Sequence, residues 1–98
     1  INNYNNGNNL IDKSILVDCS HGNSFKDYTK QNIAFKSVIN QRINGNLAIR
    51  GIMIESNITC GKQKLDDPNN LIYGQSITDS CIDLIETKKL MNLAFTNL

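Results

Sequence analysis

The sequence has no Trp, one Pro, one His and three Cys in 98 residues, and these scarcities close off several classes of protein. Cys19, Cys60 and Cys81 are odd in number and show no CxxC spacing, so neither a disulfide framework nor a zinc ribbon is expected. Reduced thiols in a cytoplasmic chain are the reading that this usage supports. Ten basic residues against nine acidic ones leave a net charge of +1, with no basic stripe. The phosphate-neutralising surface that nucleic-acid binding requires is therefore missing. No apolar run approaches the roughly 20 residues needed to span a bilayer, so no membrane partner is expected. The opening INNYNNGNNL has neither a charged start nor an apolar centre, and does not read as a secretory signal.

What is abundant is Asn, with 16 residues, and Ile, with 14. Six of the Asn fall in the first nine positions, where turn-forming amides with nothing to bury predict a lead-in loop over residues 1–13. The pattern changes at residues 14–21, SILVDCSH, whose run Ile15, Leu16, Val17 predicts a strand buried on both faces in a parallel sheet. Ser24 with Asp27 three residues on resembles a capping box, so a helix is expected from near Phe25. Phe35, Val38, Ile39 and Ile43 keep helical spacing after it, and Gly45 is its stop.

A second strand is expected over residues 47–55, LAIRGIMIE. The polar stretch 56–73, with Gly61, Pro68 and Asn69-Asn70, exceeds the usual connection and marks a functional or disordered loop. Leu90, Met91, Ala94, Phe95 and Leu98 form the apolar stripe of a last helix, for which Thr87 is one candidate N-cap and Glu86 or an earlier start also fits. Strand, helix, strand, loop, helix is the order of two consecutive βα units in an α/β fold with a parallel sheet.

Side chains alternate across a strand, which places Cys19 and His21 on one face of the first strand and Met53 and Glu55 on one face of the second. Ligands of α/β proteins gather at the C-terminal ends of parallel strands, so His21 and Glu55 are expected to converge there if the strands are neighbours. Each has a plainer reading. A lone His is commonly a capped structural residue, a Glu after an apolar strand commonly opens a solvated loop, and Asp79 in SITDSC has the position of a cap or turn residue. Cys60 and Cys81 have no base beside them in sequence and read as bystanders, and Gly61-Lys62-Gln63-Lys64 reads as a solvated loop. Spacing alone leaves both metal and reaction open.

Three ordered blocks carry a resemblance. Leu16-Val17-Asp18-Cys19-Ser20-His21-Gly22-Asn23-Ser24, Gly51-Ile52-Met53-Ile54-Glu55-Ser56-Asn57, and Tyr73-Gly74-Gln75-Ser76-Ile77-Thr78-Asp79-Ser80-Cys81-Ile82 closely resemble the C-terminal part of the type I 3-deoxy-D-arabino-heptulosonate 7-phosphate (DAHP) synthases. The resemblance implies a partial (β/α)8 barrel, with residues 14–98 as its last two βα units: strand 7, helix 7, strand 8 and helix 8. It implies condensation of phosphoenolpyruvate with erythrose 4-phosphate, releasing phosphate, in a complete homo-oligomeric enzyme dependent on a divalent metal such as Mn, Fe, Co or Zn. The family holds that metal with a Cys, a His, a Glu and an Asp, which places metal ligands at His21, Glu55 and Asp79 and catalytic roles at His21 and Asp79. The Cys belongs to the first barrel strand and has no counterpart in this sequence. Cys60 stands where the family has Glu in an EGNQ-like loop, and Asp83-Leu84 where it has Gly-Trp. On its own the 98-residue chain is expected to be inactive and marginally stable, lacking a ligand, the phosphate grips and most of the roughly 250 residues a barrel needs. The alternative is a non-catalytic binding module derived from the barrel; a chance match by an unrelated α/β metal-binding domain is a third reading.

Overall fold

The computed structural model describes residues 14–98; the lead-in loop expected over residues 1–13 lies outside them. Two strands, β1 (Ile15–Asp18) and β2 (Ile49–Met53), and two helices, α1 (Gln31–Ile43) and α2 (Leu84–Asn97), follow one another as β1, α1, β2, α2. The strands pair in parallel, with Leu16 opposite Gly51, Val17 opposite Ile52 and Asp18 opposite Met53, and one irregularity between Ile15 and Leu16. The βαβα order expected from the apolar periodicity is thus the observed one, although both strands are shorter than the expected spans 14–21 and 47–55.

The core lies between the sheet and the helices. Cys19, Phe35, Val38, Ile39, Ile49, Ile82 and Leu90 form one buried cluster, and Val17, Ile52 and Ala94 pack against it. Phe35, Val38 and Ile39 present the inward stripe of α1, while Leu90 supplies the buried contact of α2. The opposite face of the sheet is open among the described residues: Leu16 is 68 % exposed, and Met53 is exposed too. Burial of β1 on both faces is therefore not observed, because the described chain supplies helices to one face only. An apolar groove of about 630 Å³, walled by Phe35, Ile39, Ile49, Ile52 and Met91, also remains between the helices and β2.

The helix boundaries correct two expectations. No helix begins near Phe25, because Phe25 and Lys26 both take left-handed backbone angles, φ +56° and +58°, which a right-handed helix excludes. Asp27 instead turns its carboxylate onto the Thr29 N–H, capping a short 3-10 turn (Tyr28–Lys30) that runs into α1. At the far end α1 stops as expected: Gly45, at φ +107°, donates its N–H to the Arg42 carbonyl. For α2 the earlier start is the one observed: its N-cap is Asp83 rather than Thr87, the Asp83 Oδ1 accepting from the Glu86 N–H at 2.8 Å. Thr87 lies inside the first turn and donates its hydroxyl back to the Asp83 carbonyl.

The long polar stretch is ordered by pairing. Single bridges join Ser56 to Ile82, Gly61 to Cys81 and Lys62 to Ser76, so the segment carrying Asp79 is folded back over the C-terminal ends of the strands. One side chain binds the loop to itself: the Gln63 amide donates to the carbonyls of Ile72 and Gln75 and accepts from the Ile72 N–H.

Candidate metal centre

His21 lies three residues past the end of β1 and Glu55 two past the end of β2. Strand parity therefore does not aim either of them; the turns that follow do. The His21 carbonyl accepts from the N–H groups of Ser24 and Lys26, and Asn23 Nδ2 donates to the Asp18 carbonyl at 2.7 Å, which closes the turn that swings the imidazole over the strand ends. Glu55 is held by its main chain. Its carbonyl accepts from the Ile82 N–H at 3.0 Å, and its N–H donates to the Oε1 of Gln31, the first residue of α1. Asp79 arrives from the loop that the bridges at Gly61 and Lys62 fold back.

These three segments bring their polar atoms to one place. His21 Nε2 is 3.1 Å from Glu55 Oε1 and 3.0 Å from Asp79 Oδ2. One ligand atom from each residue lies within 4.8 Å of the others, and His21 and Glu55 are half-buried while Asp79 is exposed. On the other ring nitrogen, Nδ1 is 2.6 Å from Asp18 Oδ2. The second oxygen of Asp18 accepts from both the N–H and the hydroxyl of Ser20.

The charges follow from this geometry. The Ser20 hydroxyl, ahead of the Ser20 N–H and His21, holds the Asp18 carboxyl down at about 2. Asp18 first, and Asp79 next, raise the His21 imidazole to about 8. An imidazolium has two N–H groups to offer, and three carboxylates surround this one. Nδ1–H is taken by Asp18, a single Nε2–H faces both Glu55 and Asp79, and the buried Oε2 of Glu55 has no hydrogen-bond partner among the described residues. A surplus of negative charge beside a buried oxygen with no partner among the described residues is a donor set able to hold a cation. The donor set of one imidazole nitrogen and two carboxylates suits a divalent metal of borderline hardness, and the Asp18 bond to Nδ1 turns the Nε2 lone pair toward the position such a metal would take.

The structure brings together all three residues singled out from the sequence, and joins no cysteine to them. Burial pushes the Cys19 and Cys81 thiols up, away from the thiolate form, and Cys81 Sγ lies against the Asp79 carbonyl instead. Two participants had not been singled out. Asp18 was visible as an Asp three residues before the His at a strand end, but nothing in the sequence says that the turn closes them onto each other. Gln31 had no signal at all, because its role depends on a strand 24 residues further along.

Comparison with known proteins adds a second line of observation. The family model described as the DAHP synthetase I family matches residues 1–92. The Tyr-sensitive phospho-2-dehydro-3-deoxyheptonate aldolase of Escherichia coli (strain K12) is 48 % identical over 79 residues, covering 80 % of this chain and 22 % of the relative. The phenylalanine-inhibited phospho-2-dehydro-3-deoxyheptonate aldolase of Saccharomyces cerevisiae is 40 % identical over 84 residues, covering 83 % of this chain and 23 % of its own. A solved phospho-2-dehydro-3-deoxyheptonate aldolase from Francisella tularensis superposes with a TM-score of 0.80 at 40 % identity, over 86 % of this chain and 24 % of that one. The chain thus spans about a quarter or less of the length of these relatives.

Proposed function

The chain belongs to the DAHP synthetase I family, and on that premise we propose that it is the C-terminal part of a DAHP synthase, the seventh and eighth βα units of its (β/α)8 barrel. The complete enzyme condenses phosphoenolpyruvate with erythrose 4-phosphate to DAHP and inorganic phosphate, as a cytoplasmic homo-oligomer. Three unpaired cysteines fit the reducing compartment.

His21, Glu55 and Asp79 are three of four ligands to a divalent metal, Mn, Fe, Co or Zn, and a Cys from the first barrel strand is the fourth. When bound, the metal would supply Lewis acidity to the aldehyde of erythrose 4-phosphate, for a reaction in which phosphoenolpyruvate, erythrose 4-phosphate and water give DAHP and phosphate. The residues of this chain prepare that site. Asp18 accepts the Nδ1 proton of His21 and fixes the tautomer whose Nε2 is free to ligate. Glu55 brings an oxygen that the described residues leave unpartnered. Asp79, exposed and loop-borne, is the ligand with most freedom to close over bound substrate. The chain by itself is inactive, since it lacks the Cys and the cationic residues that grip two phosphorylated substrates.

The observation that carries this reading is the convergence of the three side chains from three separate segments, with no donor for Glu55 Oε2 among the described residues. Replacing the matching C-terminal segment of the Escherichia coli relative with residues 14–98 is expected to retain metal-dependent DAHP formation. Asp79→Ala in that chimera should lower both metal affinity and turnover, and unchanged values would overturn the assignment of Asp79.

A further inference from the structure

Gln31 is completely buried, and its carboxamide has one set of partners, the main chain of Glu55. Its Nε2 donates to the Glu55 carbonyl at 3.3 Å and its Oε1 accepts from the Glu55 N–H at 3.2 Å. The amide side chain thus pairs with a single residue at two points, as a neighbouring strand would. The pairing falls where the real ladder has run out: Cys19 N–H to the Met53 carbonyl is the last bond between the β1 and β2 segments, and Glu55 lies two residues beyond it.

We infer that Gln31 is a positioning residue for Glu55, extending the support of β2 by two residues so that the Glu55 carboxylate is presented to the metal site already in place. The inference rests on the reading of Glu55 as a metal ligand. Its physical content is pre-organisation. Without the amide, the Glu55 N–H loses its partner in a buried position, the main chain there relaxes to find another, and the carboxylate at its end shifts with it. Partners that orient metal ligands typically change metal affinity by about 10–100-fold when removed. Gln31 is well placed for this because it opens α1, whose buried Phe35, Val38 and Ile39 anchor the helix to the sheet. The α1 body and the tip of β2 are thereby locked together at the ligand.

The test is titration of the metal-stripped chimera, residues 14–98 within the Escherichia coli relative, with Mn²⁺ alone, at a temperature where circular dichroism shows every variant folded. Gln31→Met keeps the volume and removes the amide, and should weaken Mn²⁺ binding about tenfold while speeding hydrogen exchange at the Glu55 N–H. Val38→Ala, a core truncation on the same helix, serves as the control for general destabilisation: it should lower the melting temperature and leave Mn²⁺ affinity unchanged. Equal losses of affinity in Gln31→Met and Val38→Ala would overturn the positioning role, as would wild-type affinity in Gln31→Met. Glu55→Ala separates the two levels. If it binds Mn²⁺ like the wild type, Glu55 is no ligand and both readings fall; if it loses binding while Gln31→Met does not, the inference about Gln31 fails alone.

Discussion

Asp18 and His21 stand three residues apart in sequence and 2.6 Å apart in space, Oδ2 against Nδ1, and this contact decides which face of the imidazole points toward Glu55 and Asp79. It is closed by a turn outside any regular element, with Ser20 occupying the other oxygen of the same carboxylate. The ring is fixed at one nitrogen and offered at the other.

The first prediction concerns pH. Without metal, His21 titrates at about 8 when folded against 6.5 when unfolded, so its contribution to stability is complete below about pH 6.5 and is lost as pH rises through about 8. Asp18 acts at the other end: with a folded value of about 2 against 3.8, its contribution is present above about pH 4 and is lost as pH falls through about 2. Urea melts in a chelator should show midpoints falling on both flanks, and the His21 ring protons should titrate near pH 8 by NMR. Metal affinity should move the other way on the alkaline side, rising through the same range as the competing proton leaves.

Asp18→Asn removes the charge beside Nδ1 while keeping the shape. The His21 midpoint should fall toward its ordinary value, because Asp18 is the largest cause of its elevation. Metal affinity should drop about tenfold, since the ring loses the partner that sets its tautomer. NMR titration and Mn²⁺ binding on the same protein would check both.

Asp83→Ala tests the departure at the start of α2. The Asp83 carboxylate accepts the Glu86 N–H at 2.8 Å, and its loss should cost about 1 kcal/mol in urea unfolding. Asp83→Asn should recover most of that, because an amide oxygen caps nearly as well.

Gly74→Ala probes the loop that carries Asp79. An added Cβ there would come within 2.5 Å of Ile58 Cβ, on a residue already at φ +75°. Both the clash and the left-handed backbone oppose any side chain, so the loop must shift, at a cost of about 1–3 kcal/mol. The expected readouts are a lower melting temperature and weaker metal binding; Gly45→Ala, at φ +107° but with open space around it, should show only the first.

How far the sequence could be read depended on whether a feature was local. The apolar run Ile15 to Val17, the helical spacing of Phe35, Val38 and Ile39, and the stop at Gly45 all depend on near neighbours, and the observed elements follow them. The helix expected at Phe25 failed because two left-handed residues intervene, and Phe and Lys carry no mark of that conformation as Gly or Asn would. Thr87 and Asp83 are both good caps, and the choice fell to Asp83 because the bridge at Ser56 and Ile82 brings the chain in extended just ahead of it.

The sequence by itself determined the βαβα order through its periodicity, and its three blocks, by their resemblance to a known family, picked out the three residues that converge. Tertiary structure decided what surrounds them: Asp18 on the far nitrogen of His21, Gln31 on the main chain of Glu55, and an oxygen of Glu55 left without a donor among the described residues. Strand parity correctly indicated that His21 and Glu55 would meet but for the wrong reason, since both lie past the ends of their strands. Their aim comes from turns and from contacts across 24 to 58 residues of sequence, and such contacts exist only once the chain has folded back on itself.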